Sequence, residues 1–265
     1  MKNKKLKDCL GERMKDIESR TRYYLPRRTY TICRLDGKSF HTFTKNCEKP
    51  FDPYFIQAMQ YTTQKLCEQI MGSKIGYTQS DEISLVLTDF DDIGTEAFFD
   101  GNIQKICSVS ASIATAYFNQ KYQELEFERF RRTGNASDHP DKNKVGCFDC
   151  RVYTVSDPWE VYNAILWRQN DCVRNSVSCT AQSLYSHKQL LNKNSVRLKE
   201  MIAEKGKPWD DYPNTCKYGS FVIKKDSGWM VDENSPMINK NRKYFFDNIP
   251  LMEGVQEINV IKESK

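Results

Sequence analysis

Acidic residues in two short segments of this 265-residue chain are candidates for chemistry. Asp36 follows an alternating apolar stretch, Thr29–Leu35, and precedes a glycine. Asp81 and Glu82 separate the two apolar halves of the sequence IGYTQSDEISLVL. A strand that ends in Asp-Gly and a hairpin with a polar tip are both common turn signals. Each segment alone is therefore explained by chain reversal.

The predicted order of elements brings the two segments together. A strand over Thr29–Leu35 precedes a helix that Asp52-Pro53 opens and Gly72 stops. The hairpin, a helix over about Thr95–Gln120 and a strand at Arg151–Val155 follow. This βαββαβ order predicts an α+β, ferredoxin-like fold, an antiparallel sheet with helices on one face. The first strand then neighbours the hairpin, so that Asp36 lies beside Asp81.

This placement predicts a metal site. The carboxylates of Asp36 and Asp81 and the backbone carbonyl of Gly37 supply hard oxygen ligands, with Glu82 adjacent. Mg²⁺ prefers one or two protein carboxylates and keeps positions for water and phosphate oxygens. Two such ions could activate an attacking oxygen and stabilise a leaving pyrophosphate. A glycine after Asp36 would also let a triphosphate approach the backbone closely.

Charge and composition indicate which kinds of partner and cellular location to expect for this protein. The net charge is +5 and the pI near 8.6, and basic residues cluster locally. The clusters lie at Lys2–Lys7, Arg20–Arg28, Arg129–Arg132, Lys142–Lys144, Lys224–Lys225 and Lys240–Lys243. They suit a polyanion such as RNA, although solvated surface lysines explain them equally well. No apolar run approaches the roughly 20 residues of a membrane span, and the N-terminus lacks a secretory signal, so we expect a cytoplasmic protein.

Ten cysteines in a cytoplasmic chain are expected to be reduced and mostly buried. The pair Cys147 and Cys150 has zinc-site spacing, but a structural zinc site needs four ligands and no second such pair follows. We therefore expect neither a metal nor a redox role for this pair.

The rest of the chain is predicted to be mainly helical. Helices are expected at residues 4–19, from Asp157-Pro158 onward and at Asn194–Lys205, with a surface loop at Glu124–Val145 and strands at Lys217–Lys224 and Lys243–Phe246. We expect a catalytic core over residues 1–155, with a helical and mixed part at residues 156–265 packed on it, or a single domain.

Five motifs together resemble those of the tRNA-His guanylyltransferase family, the enzymes that add nucleotides in the 3′-to-5′ direction. They are RLDGKSFHTFT (Arg34–Thr44), EKPFD (Glu48–Asp52), GYTQSDEISLVL (Gly76–Leu87), FDCR (Phe148–Arg151) and WRQNDCVRNS (Trp167–Ser176). The resemblance implies a polymerase-type palm with two or more Mg²⁺ ions, acting on tRNA as a homo-tetramer. ATP or GTP would activate a tRNA 5′-monophosphate, which the 3′-hydroxyl of an incoming nucleotide then attacks.

Site residues carry over from the resemblance. Catalytic positions are Asp36, Asp81 and Glu82, and metal ligands are Asp36, Gly37 and Asp81. Nucleotide-binding positions are Asp36, Gly37, Lys38, Ser39, Phe40, His41, Thr44, Lys49, Asp52, Ser80, Asp81 and Lys105. Positions that bind or orient tRNA are Arg151, Arg168, Asp171, Asn175 and Lys188. Without the resemblance, the charged stripe of the WRQNDCVRN helix would be read as a structural ion pair.

Two departures from the family pattern bear on the substrate. Members that add an extra guanosine to tRNA-His carry His-Ile-Asn-Asn where this chain has Val173–Ser176, and an arginine near the triphosphate is Asn102 here. The first departure resembles the guanylyltransferase-like branch, which repairs 5′-truncated tRNA by templated addition. Guanosine addition to tRNA-His, a nucleotidyl cyclase on the same palm and a non-catalytic RNA-binding module stay open as alternatives.

Overall fold

The strands of the described residues form one antiparallel sheet. The computed structural model describes residues 9–92, 94–135 and 144–250, and six strands of this part join the sheet in the order β4-β1-β3-β2-β5-β6. The strands are β1 (Tyr30–Gly37), β2 (Ser73–Gln79), β3 (Glu82–Leu87), β4 (Phe148–Val155), β5 (Ser220–Lys225) and β6 (Gly228–Asp232). Every pairing between neighbours is antiparallel. The predicted α+β class and antiparallel sheet are confirmed.

The described residues also form nine α-helices. They are α1 (Leu10–Ser19), α2 (Phe40–Phe43), α3 (Pro53–Gln69), α4 (Ile103–Thr133), α5 (Pro158–Leu184), α6 (His187–Leu190), α7 (Ser195–Glu204), α8 (Asn214–Tyr218) and α9 (Arg242–Phe246). None of the helices in the described ranges is both long and apolar enough to cross a lipid bilayer.

Each face of the sheet buries its own apolar cluster. On one face, residues such as Leu35 and Leu85 pack against α3 and α4. On the other face, residues such as Tyr77 and Val86 pack against α5 and α9. The expectation of helices on one face alone is therefore wrong, because α5 covers the second face. Strand β5, from the C-terminal part of the chain, pairs directly with β2 and extends the same sheet.

Helix α3 lies close over β2 because Gly76 has no side chain. A Cβ atom built at this position would stand 2.7 Å from the sulfur of Cys67 and 2.8 Å from a methyl group of Thr63, both on α3. Such distances leave no room for a methyl group in a packed interior. The glycine thus sets how near the helix comes to the hairpin that carries Asp81.

Asp52 begins α3 and ties it to α4. Its carboxylate accepts hydrogen bonds from the backbone N–H groups of Tyr54 (2.9 Å) and Phe55 (3.1 Å), as expected for an N-cap before a first-turn proline. It also accepts a hydrogen bond of 2.7 Å from the guanidinium of Arg129 on α4. Burial raises the pKa of the Asp52 carboxyl, but the bonds from Arg129 and from the backbone N–H of Glu48 and Phe55 outweigh it and hold the pKa below its usual value.

Two local predictions differ from the structure, and one strand was not predicted. Helix α4 continues to Thr133, so the first part of the loop predicted at Glu124–Val145 is helical, and residues 136–143 of that loop lie outside the described part. The predicted strand at Lys243–Phe246 is the helix α9. Strand β6 had no counterpart among the predictions. Residues 4–8 of the first predicted helix lie outside the described residues, and α1 begins at Leu10.

Replacing Asp52 with asparagine should lower the free energy of unfolding by about 3 kcal/mol at neutral pH, because it leaves the largely buried Arg129 cation without its partner. The folded-state pKa of Asp52 is depressed, so its contribution is complete above the unfolded-state pKa of about 4 and disappears as the pH falls through the folded-state value. Urea unfolding of both proteins over a pH series measures this difference, which should shrink on acidification.

The chain offers a matched control at the start of α5. Asp157 also caps a helix before a first-turn proline, with a hydrogen bond of 2.6 Å from the N–H of Trp159, but it is exposed and has no ion pair among the described residues. Asparagine is an equally good N-cap, so Asp157→Asn should change stability by only a few tenths of a kcal/mol. Equal losses for the two variants would contradict the role given to the pair of Asp52 with Arg129.

Candidate functional site

Asp36 and Asp81 meet at one end of the sheet. Asp36 is the penultimate residue of β1, and Asp81 lies in the tight turn between β2 and β3. The N–H of Gly37 donates a hydrogen bond of 3.0 Å to the carbonyl of Asp81, which fixes the turn against the end of β1. The hydroxyl of Ser80, a residue in the left-handed region (φ 49°), donates to the Asp81 carboxylate at 2.9 Å.

The strand register places two further carboxylates beside Asp36. Asp36 is the direct cross-strand partner of Glu82 on β3 and of Asp149 on β4, so these three side chains form an acidic row on one face of the sheet. Like charges on directly opposed residues destabilise a sheet. Such a concentration of negative charge favours a bound cation.

The electrostatics of Asp81 agree with this interpretation. Burial raises the pKa of its carboxyl, the hydrogen bond from Ser80 opposes the rise, and the charge of Asp36 adds to it. The Ser80 hydrogen bond and the smaller effect of His41 thus compensate the ionised form of Asp81 only in part, and the pKa stays above its usual value. A cation between the two carboxylates would relieve that cost.

Glu82 is tied to α5 by an ion pair. The guanidinium of Arg168 donates to the Glu82 carboxylate at 2.6 Å and to Asp171 at 2.9 Å. Burial raises the pKa of the Glu82 carboxyl, and the Arg168 charge opposes the rise. Of the acidic residues at this end of the sheet, Glu82 is therefore the one with a strong protein partner, and it fixes α5 to β3.

The oxygen atoms at this end suit Mg²⁺ better than zinc. No three His, Cys, Asp or Glu side chains are grouped as a metal ligand set within the described ranges. Mg²⁺ does not need such a cage, since it binds one or two carboxylates and keeps waters or phosphate oxygens. Asp36, Asp81 and the Gly37 carbonyl match this requirement.

An open cleft of about 330 Å³ lies in front of the carboxylates. Its lining consists of Asp36, Gly37, Ser39, Phe40, His41, Thr44, Ser80 and Asp81. All of these were predicted to bind the nucleotide, and the structure brings them together. The side chain of Lys38, also predicted, is exposed outside this lining, while its N–H bonds the carbonyl of Cys147 at 2.8 Å.

Aromatic packing fixes the segment from Ser39 to Thr44, which lines the cleft. Phe40 of α2 packs against Phe43, Phe118 and Phe148 with ring centroids 5.0 to 5.3 Å apart. A Cβ atom at position 37 would stand 2.5 Å from the Phe40 ring, so only glycine allows the chain to fold back this sharply. Burying these rings anchors the polar residues between them at the cleft.

A second cavity of about 150 Å³ adjoins the cleft and shares Thr44 and Ser80 with it. The predicted residues Lys49, Asp52 and Asn175 contribute to its lining, together with thiols of α5. Lys49 donates to the carbonyl of Thr44 at 3.2 Å. Since Asp52 is already fully engaged as the cap of α3, its contribution to a ligand there would be secondary.

Other predicted residues lie away from the cleft. The exposed Lys105 is in the first turn of α4, whose Ile106 lines a different cavity with Thr31 and Leu87 at the opposite end of the sheet. Thr31 is five residues before Asp36, roughly 17 Å along an extended strand. Within this chain Lys105 is thus not part of the cleft. Lys188 is exposed on α6, and Arg151 is exposed on the edge strand β4.

The cysteines add no ligands to the cleft. All ten lie in the described part of the chain and are free thiols. The sulfur of Cys150 lies 3.2 Å from that of Cys33, on the face of the sheet that packs against α3 and α4.

Asp149, Arg34 and Trp167 lie within the motifs quoted from the sequence but were not among the predicted site residues. Asp149 and Arg34 join the site through strand register, which a pairing of FDCRVYT with TICRLDG would have indicated. Trp167 lies on α5, with the guanidinium of Arg168 at 4.4 Å and that of Arg34 at 5.7 Å from its ring centroid. The sequence carried no signal for this contact.

Comparison with known proteins agrees with this geometry. The family model "Thg1: tRNAHis guanylyltransferase" matches residues 11–156. A bacterial guanylyltransferase-like protein solved in complex with ATP is 40% identical, with a TM-score of 0.81, over 92% of this chain and 100% of that one. Its counterpart solved with GTP is 36% identical, with a TM-score of 0.73 and the same coverage.

A relative of unassigned function is the R259 protein of Acanthamoeba polyphaga mimivirus. It is 29% identical over 230 residues, which are 83% of this chain and 78% of that protein. The family model spans more than half of the chain, and the ATP-bound bacterial structure aligns with nearly all of it. This protein therefore belongs to the tRNA-His guanylyltransferase family.

Proposed function

We propose that this protein extends the 5′ ends of tRNA in the 3′-to-5′ direction with the help of Mg²⁺. As a member of the family it is a nucleotidyltransferase of the tRNA guanylyltransferase type. One observation carries the finer proposal: Asp36 near the end of β1 and Asp81 in the turn between β2 and β3 line one open cleft, beside a position, Gly37, that has no side chain.

The residues of the cleft have separate tasks in this proposal. Asp36, Asp81 and the Gly37 carbonyl hold Mg²⁺, which supplies charge neutralisation for phosphate oxygens when bound. Gly37 and the N-terminal end of α2 let a triphosphate lie against the backbone. Ser39, His41 and Thr44, which line the same cleft, orient it. The solved bacterial relatives with ATP and GTP support triphosphates as ligands.

One ion pair and one backbone hydrogen bond hold the elements of the site in place. The bond between Arg168 and Glu82 fixes α5 against β3, and the hydrogen bond between Gly37 and Asp81 fixes the hairpin tip against β1. In-line displacement depends on reacting groups being held in position. We therefore assign Glu82 a positioning role in the proposed reaction.

We further propose that the core is a ferredoxin-like, polymerase-type palm. The order β4-β1-β3-β2 and the placement of α3 and α4 on one face support this description. A homo-tetramer, which the family resemblance implies, belongs to the same proposal.

The proposed reaction is templated repair of 5′-truncated tRNA. Its support is the segment Val173–Ser176, which differs from the His-Ile-Asn-Asn of members that add guanosine to tRNA-His. In the structure this segment lies on α5, where Arg174 is exposed and bonds Asp171 at 2.6 Å, and Asn175 reaches the second cavity. Addition of guanosine to intact tRNA-His stays the alternative.

Asp36→Asn and Asp81→Asn should each reduce nucleotide addition at least about a hundredfold, because each removes a charge that holds phosphate-bound metal in the transition state. Thermal stability and much of the affinity for tRNA should persist. Primer-extension gels with 5′-labelled tRNA and Mg²⁺ measure the rate. Asp226→Asn, at the exposed tip of the hairpin between β5 and β6, is the matched control and should be fully active. Near-normal addition by either cleft variant would rule out the proposed metal role.

A panel of tRNA substrates tests the direction and the purpose of the reaction. Purified protein with ATP, Mg²⁺ and all four nucleotides should extend tRNA that lacks its first nucleotide and add the base complementary to the template. Intact tRNA should be extended poorly. Addition of a single guanosine to intact tRNA-His alone would contradict repair, and conversion of nucleotide without RNA would indicate a cyclase.

A further inference from the structure

The face of the sheet that carries the acidic row also carries a basic row. Two residues back along each strand, Arg34 of β1 lies opposite Arg151 of β4. One step further, Tyr153 of β4 lies opposite Ile32 of β1, with its side chain 37% exposed. Acidic, basic and aromatic groups thus follow one another along the strands, starting at the cleft.

Trp167 of α5 lies over this basic row. Its side chain is 53% exposed, and its ring contacts the guanidinium groups of Arg168 and Arg34. We call Trp167, Arg34, Arg151 and Tyr153 the Trp167 platform. An exposed indole with guanidinium groups over its ring combines a stacking surface with charge, the two features that single-stranded nucleic acid requires.

The core does not account for the position of Trp167. Trp159, on the same helix and equally exposed at 50%, packs against Phe246 and Tyr162 with centroids 4.7 and 5.9 Å apart. No aromatic ring of the described residues stacks on Trp167. One indole therefore completes an apolar cluster, whereas the other leaves a face open to solvent.

The two arginines beside Trp167 differ in whether an acidic partner holds them. Arg168 is held by Glu82 and Asp171, so it forms a fixed support under the ring. The guanidinium of Arg34 has neither an ion pair nor a hydrogen bond within the part of the chain that the structure describes. Arg151 has only a weak contact of 3.7 Å with Asp149. Arg34 and Arg151 are thus available to a phosphate.

We propose that the Trp167 platform binds the 5′-terminal nucleotide of the RNA substrate, with its base stacked on Trp167 and a phosphate between Arg34 and Arg151. The inference rests on the proposed function and adds a subsite to it. Arg34 is two residues from Asp36 on the same face, roughly 7 Å away, so a nucleotide held there presents its 5′ end to the cleft. None of the four platform residues lines the cleft or the second cavity.

An RNA end suits this surface better than a free triphosphate. Free mononucleotides bind in concave pockets that enclose most of their surface, and the cleft at Gly37 provides one. The platform lies outside both cavities, with Trp167 about half exposed, and it offers one base face and one phosphate contact. Stacking on an aromatic ring tolerates any base, as an enzyme that repairs different tRNAs requires.

Binding of a fluorescein-labelled acceptor-stem minihelix, measured by anisotropy without nucleotide, tests the platform apart from catalysis. Trp167→Ala should weaken binding about tenfold, Trp167→Phe should restore most of it, and Trp159→Ala should bind normally. Arg34→Gln should weaken binding and reduce the salt dependence by about one counterion. In the extension assay, Trp167→Ala should raise the KM for RNA and leave the KM for ATP unchanged.

A minihelix with an abasic 5′-terminal nucleotide identifies the bound group. It should bind the unaltered protein as weakly as Trp167→Ala binds the intact minihelix, and combining both changes should add nothing. Equal losses from the abasic site in both proteins, or normal binding by Trp167→Ala, would overturn the platform. Neither result depends on the activity of Asp36→Asn, which decides the proposed function separately.

Discussion

The antiparallel pairing of β1 with β3 is the constraint on which the site depends. It sets Asp36 opposite Glu82 and places the N–H of Gly37 within hydrogen-bond distance of the Asp81 carbonyl. A register shift of one residue would turn Asp36 toward the core and Leu35 toward the cleft. The apolar residues of β1 therefore position the carboxylates as firmly as any polar contact does.

Helix α5 covers one face of the sheet while leaving the end of that face accessible. Its first turns bury Val161 and Ile165 against the sheet, and its middle turns present Arg168 to Glu82. The switch from apolar to charged contacts coincides with the point where the strands become acidic. One helix thus packs on the sheet through its first turns, reaches the site through its middle turns, and buries Val177 and Ala181 in a third apolar cluster further along.

Much of the core and the cleft followed from local signals. The Asp-Pro pairs at the starts of α3 and α5, the alternating apolar residues of the first strand and the polar hairpin tip are features that short-range physics imposes, and they were predicted near their observed positions. The order of elements then placed Asp36 beside Asp81 without knowledge of any side-chain contact. The position of these two carboxylates could be predicted because the strand pattern, the turn signal and the order of elements all placed them at the same end of the sheet.

The residues that were missed or misplaced depend on longer-range geometry. Asp149 and Arg34 join the site only through the exact pairing of β1 with β4, and Trp167 only through the rotation of α5 over the sheet. Lys105 lies at the far end of the sheet because α4 runs the whole length of its face. The segment Lys243–Phe246 is too short for its sequence pattern to distinguish a strand from a helix. In the structure it is helical, and Phe245 and Phe246 pack against Tyr162.

Gly37 has a consequence for how this protein tolerates change. The missing side chain, which in the proposed function leaves room for a triphosphate, is also what lets Phe40 enter the aromatic cluster, since any Cβ would meet that ring. Function and folding thus place the same demand on one backbone position. Substitutions at position 37 should impair both together, so evolution cannot trade stability against activity there.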